Sequence, residues 1–210
     1  MANKPVPAIS VNKMYYALVL SDTEEGVTYS APVWLQGVNT VAYNPNTQTA
    51  SWDADGGTYV SYAGDGEVQT TITIADLNPE DYATLMGVQR DQHGVISEGV
   101  NDNPPEVAIG FMSEKSDGAM RFTWVLKGKF SKQEESVTSK GGAGITFQPR
   151  TIMHTALPRT FDRKKRRFLD SNDPENTLSI AQLESAVNGW FSSPDFDPAA
   201  YQGSTTPVSN

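Results

Sequence analysis

Apolar and polar residues alternate along the middle of this chain more clearly than they recur at any helical spacing, and alternation marks strands with one face buried. From Glu67 to Ala75, the residues Val68, Thr70, Ile72 and Ile74 point one way and Gln69, Thr71 and Thr73 the other, so one side is core and one is wet. Between Ala119 and Phe130, the residues Met120, Phe122, Trp124, Leu126 and Phe130 share a face opposite Arg121, Thr123, Lys127 and Lys129, which predicts one long strand. At Pro105–Met112 the apolar face of Val107, Ile109 and Phe111 is backed by Ala108, Gly110 and Met112, a pattern that suits cover on both sides. Met14–Leu20 reads as a first strand, followed by a polar turn through Ala31. Pro32–Tyr43 reads as a strand whose phase changes near Gly37, where a bulge would restore it. After a glycine hinge at Lys140–Gly144, Ile145 and Phe147 alternate until Pro149, which confines that strand to an edge or a bulge.

Two segments carry helix signals. Asn78 caps the first, Pro79 suits its first turn, Glu80 and Asp81 complement its dipole, and Gly87 closes it, with Tyr82, Leu85 and Met86 toward the sheets. The second is expected from Ser179 to Phe191, where Ser179 and Gln182 have capping-box spacing and Ile180, Leu183, Val187 and Phe191 line one stripe, weakened near its end by Gly189. The expected fold is mainly β: a β-sandwich or partly closed barrel of about seven or eight antiparallel strands, with a flanking helix and a second C-terminal helix. Residues 1–200 are read as a single domain, and 201–210 as a disordered tail.

One stretch departs from this pattern. Asn44–Gly66 is a long polar run rich in Gly and Asp that also holds Trp52, Tyr59 and Tyr62, and its length predicts a structureless loop that acts in binding. Disordered segments are poor in aromatics, whereas rings with a polar handle are enriched at interfaces, so the loop reads as a docking arm.

Charge sharpens the reading. The net charge of −9 repels nucleic acid at long range. It is unevenly spread: residues 159–167 hold six bases and one acid, a local +5, which leaves −14 on the rest of the chain. This basic patch either meets an acidic neighbour, another copy of the chain included, or is a solvated loop. The chain has no Cys, which removes disulfides and thiolate metal sites, and the apolar run at Met14–Leu20 is too short to span a membrane.

Candidate chemistry is thin. His93 sits beside Gly94 in a turn and His154 in a strand, neither with metal-ligand spacing. Asp53 and Asp55 begin a calcium-loop pattern that fails at Gly57 and Gly64. The pairs Glu24–Glu25 and Glu134–Glu135 fall in polar turns where both acids stay ionised. No catalytic residue, metal or cofactor is assigned.

The order of parts resembles a known family. PVWLQGVNTVAYNP, then WDADGGTYVSY, then GEVQTTITIADLNPEDYATLMG, then AMRFTWVLKGKFSKQEES is similar to the major tail proteins of long-tailed bacteriophages, which build the siphophage tail tube; the likeness spans roughly residues 10–157. The resemblance implies a structural, non-enzymatic β-sandwich subunit that forms hexameric rings stacked into a hollow tube in the virion tail, assembled in the host cytoplasm. DNA passes through such a tube without specific binding. Other implied partners are tape-measure and tail-terminator proteins, and no membrane. By this analogy the arm, with Trp52, Asp53, Asp55, Tyr59 and Tyr62, reaches a neighbouring subunit. The basic run Arg163, Lys164, Lys165, Arg166 and Arg167 is a second interface candidate, and Gln69, Thr71 and Thr73 are candidates to face the lumen. Arg121, Lys127 and Lys129 must then point elsewhere or pair with carboxylates. The alternative is a carbohydrate- or receptor-binding β-sandwich module that uses the exposed aromatic residues.

Overall fold

The computed structural model describes residues 5–64, 66–132, 135–139, 147–185 and 187–201. Two sheets pack face to face. In chain order the strands are β1 (Ala8–Asp22), β2 (Val27–Tyr29), β3 (Val33–Leu35), β4 (Val38–Asn44), β5 (Gln48–Ala54), β6 (Gly57–Gly64) and β7 (Val68–Ile74). Helix α1 (Pro79–Met86) follows, then β8 (Gln89–Arg90), β9 (Ile96–Ser97), β10 (Val107–Lys115), β11 (Met120–Val125), β12 (Gly128–Ser131), β13 (Arg150–Ala156) and β14 (Arg166–Asp170). A short α2 (Ile180–Leu183) lies in the C-terminal segment. The larger sheet runs β14-β11-β10-β1-β2, with β3 also on β1; the smaller runs β12-β13-β7-β4. A bridge between Glu106 and Lys129 joins the two sheets at one corner, so the sandwich is partly closed there.

The alternation seen in the sequence builds two cores. Between the sheets, Val107, Ile109 and Phe111 of β10 meet Ile72 and Ile74 of β7, Ile152 of β13 and Phe130 of β12. Leu85 and Met86 of α1 seal one margin. The helix is capped as expected: Asn78 accepts from the amide of Asp81, and Gly87 ends it at φ 63°. The Tyr16 hydroxyl donates to Asp81 at 2.6 Å, tying α1 to β1.

The second core lies on the far face of the larger sheet. Ala108 and Met112 of β10 and Phe122 and Trp124 of β11 are covered there by Leu178, Leu183, Trp190, Phe191 and Phe196. Strand β10 is therefore buried on both sides, as its sequence predicts. Gly110 faces this core opposite Trp124, and a Cβ there would stand 2.8 Å from the indole, so only glycine lets the ring lie flat on the strand. The indole NH donates to the carbonyl of Trp190 at 3.0 Å.

Several boundaries differ from expectation, each for a local reason. The long strand expected over Ala119–Phe130 is two strands in two sheets: the chain crosses at Leu126–Lys127, so Trp124 and Phe130 enter different cores. Pro32–Tyr43 likewise divides into β3 and β4, with Gly37 at φ 83° making the crossing. The turn after β1 contains β2, which pairs back on it. Pro149 lies just outside β13, which is a central strand, so the residue marks a boundary and not an edge. The second helix stops after Leu183, a single 3-10 turn (Trp190–Ser192) carries Trp190 and Phe191 into the core, and Val187 is left exposed. Fourteen strands occur among the described residues because expected strands are divided and several short pairs have weak patterns. The glycine hinge, Ile145 and residues 202–210 lie outside the described residues. Tyr201, assigned to the tail, instead packs edge-on against Phe196.

Candidate assembly surfaces

The structureless loop expected at Asn44–Gly66 is instead a two-stranded ribbon, β5 paired with β6, that continues β4 and β7 outward from the smaller sheet. Asp55 (φ 52°) and Gly56 (φ 83°) form its tip, the two consecutive positive-φ positions that a tight two-residue hairpin of type I′ requires. At its base the Gly66 amide donates to the carbonyl of Asn46 at 3.0 Å, and the Asn46 side chain donates to the carbonyl of Glu67 at 2.6 Å. The ribbon is thus tied at its base to the sheet.

Its register sorts the side chains. Trp52 stands opposite Val60 and Ala50 opposite Tyr62, and directly paired residues share a face, so these four make one apolar side. Thr49, Ser51, Ser61 and Ala63 make the other. Trp52, Tyr59 and Tyr62 are 71%, 71% and 72% exposed. A lone hairpin of this kind is at best marginally stable in water. The alternation was present in the sequence, along with the Asp-Gly turn signal; single large rings set among Ser, Ala and Thr gave it too little apolar contrast to stand out.

Gln69, Thr71 and Thr73 lie on the outer face of the smaller sheet, in register with Thr155, Met153 and Thr151 of β13 and with Asn44, Ala42 and Thr40 of β4. These nine residues carry no charge, and Thr71 is exposed. Lys129 of β12 borders the face and donates to the Asn103 side chain at 3.1 Å. The other two cations in question are neutralised elsewhere. Arg121 forms a two-pronged pair with Asp170 at 2.7 Å, and Lys127 is buried between Asp22 (2.8 Å) and Glu106 (3.2 Å). Burial works against ionised Asp22, but Lys127 and the amides of Thr160 and Phe161 outweigh it and hold the carboxyl at about 2. On its outer side β4 has no strand partner among the described residues, which leaves an open edge.

The basic run is not one patch. Arg159 is buried and held by Asp162, Asp195 and the Tyr29 hydroxyl. Arg163 and Lys164 are exposed at the turn before β14. Arg166 and Arg167 lie within β14 and point to opposite sides: Arg166 stacks on the rings of Tyr43 and Phe168, while Arg167 donates to the carbonyls of Pro194 and Phe196. Lys165 is half-buried, and its amide neighbourhood joins β14 to Leu126, which donates to the Lys165 carbonyl. Burial pushes the pKa of both Arg166 and Arg167 down from the ordinary guanidinium value.

His154 is fully buried beside Phe130, with Nε2 on the carbonyl of Val107 at 3.0 Å, and burial holds its pKa down at about 4. Among the described residues no three His, Asp or Glu side chains cluster as a metal site would need, and no helix is long and apolar enough to cross a membrane. No protein-family model and no curated protein matches the chain.

Proposed function

We propose that this chain is a structural subunit that self-assembles into stacked rings, forming a tail tube of the long-tailed phage type through which DNA passes. The observation that carries this reading is the ribbon: a preorganised pair of strands projecting from the sandwich with Trp52, Val60 and Tyr62 on one bare face. A second protein surface would bury that face, and the open β4 edge offers a separate place for sheet extension. Two distinct patches are what rings and filaments built from one heterologous contact plus a second axial contact require.

The neutral face around Thr71 supports the same reading. A wall that DNA slides along must offer few cations, since each phosphate contact strengthens binding. In this proposal the tube is hexameric, as in the family the sequence resembles, and tape-measure and tail-terminator proteins meet its interior and end. Replacing the ribbon from Thr49 to Ala63 by a short turn leaves a folded subunit, because nearly all of its residues are exposed and none belongs to either core, and abolishes tube formation in electron micrographs. Unchanged tube yield would remove the ribbon from the account. A glycan-binding role rests on the same exposed rings, and it would be favoured by glycan-array binding of the monomer that Trp52→Ala abolishes.

A further inference from the structure

Beside the base of the ribbon lies an open groove of about 710 Å³, walled by Phe161 and Phe168 and lined by four cations, Lys164 and Arg166 among them, against three acids, Asp162, Asp195 and Asp197. Three of its cations already have partners: Arg159 is held by Asp162 and Asp195, the exposed Lys164 reaches Asp162 at 3.4 Å, and Arg167 donates to backbone carbonyls. Arg166 is held by side chains and not by a carboxylate among the described residues: its guanidinium stacks on Tyr43 at 4.5 Å and Phe168 at 5.1 Å and interacts with the Tyr43 hydroxyl, while its buried Nε has no hydrogen-bond partner. A buried N–H without an acceptor leaves room for one from outside the chain, and a carboxylate also suits the charge of the guanidinium. Phe161 and Phe168 are 46% and 54% exposed, so the walls also await apolar cover.

The ribbon has the complementary chemistry. Residues 44–66 contain three Asp and no Lys or Arg, and they present Trp52 and Tyr59 beside Asp53 and Asp55. Its own tip does not reach the groove. Tyr43, which stacks on Arg166, marks the ribbon's root, and seven strand residues at ~3.3 Å each carry the tip roughly 20 Å away from it. We propose that the groove receives the ribbon tip of a second copy, with Asp53 and Asp55 facing Arg166 and Lys164 and the ribbon's rings against Phe161 and Phe168. Each copy then gives one tip and accepts another, a head-to-tail contact that propagates. The inference rests on the self-assembly reading and assigns its partner surfaces.

A charge exchange tests it. Asp53→Lys with Asp55→Asn reverses the tip while keeping a residue that tolerates the positive φ; Lys164→Glu with Arg166→Glu reverses the groove. Each pair alone is expected to lose assembly, and a mixture of the two proteins is expected to recover it. Because Arg166→Glu can disturb folding, a second measurement uses the absence of native Cys. Mixing the Thr58→Cys and Lys164→Cys proteins under oxidation is expected to give the mixed disulfide dimer well above that formed with a Val100→Cys control. Tubes that form normally while the mixed disulfide stays at control level would overturn the groove contact and leave the tube reading standing. A mixed disulfide at control level in a protein that forms no tubes would overturn both.

Discussion

His154 shows how a single side chain ties the sandwich to pH. It is neutral in the folded chain, with a pKa of about 4 against about 6.5 when unfolded, so the unfolded state takes up its proton first as the solution is acidified. Stability is unaffected by this group above about pH 6.5 and falls by on the order of 3 kcal/mol as pH drops to 4. Chemical denaturation across that range measures the slope, and His154→Gln, which keeps a donor for the Val107 carbonyl, is expected to flatten it. An unchanged slope would place the acid sensitivity on other groups. Gly110 makes a second point at this scale. Adding a methyl group against the Trp124 indole is expected to cost about 1–3 kcal/mol in Gly110→Ala, read from the denaturation midpoint, with a changed near-ultraviolet dichroism of the tryptophan.

At the scale of elements, the tryptophans separate folding from assembly. Trp190 is buried in the second core, and Trp190→Ala is expected to destabilise the subunit by about 3–5 kcal/mol. Trp52 touches no core, so Trp52→Ala is expected to leave the denaturation midpoint within ~0.5 kcal/mol of the parent while reducing assembly seen by sedimentation. A large stability loss from Trp52→Ala would mean that the ribbon belongs to the fold and not to an interface. The sequence was most legible where burial was one-sided and continuous: β7, β10 and α1 appear where alternation and capping place them. It was least legible where the chain changes sheets. Leu126 keeps the period of Trp124, so nothing in the pattern announces that Phe130 belongs to the other core. The basic run misled for a different reason. Strand pairing half-buries both arginines and sends Arg166 and Arg167 to opposite sides, and only the register with Val125 and Trp124 decides this.

For the whole molecule, the decisive feature is the contrast between a doubly covered larger sheet and a smaller sheet with a neutral outer face, an edge strand without a partner among the described residues and a projecting ribbon. If the face around Thr71 lines a channel, Thr71→Arg combined with Thr151→Arg is expected to leave tubes intact and to make them retain duplex DNA at low salt, with retention falling steeply as salt rises. DNA retained no better than by the parent tubes would put that face outside the lumen. The most direct test of the central claim is electron microscopy of the concentrated, purified protein across salt and protein concentration, with and without a tail-initiator complex. Hollow tubes of uniform diameter, built from stacked rings, are the predicted result. Monodisperse monomers under every one of those conditions would contradict the account.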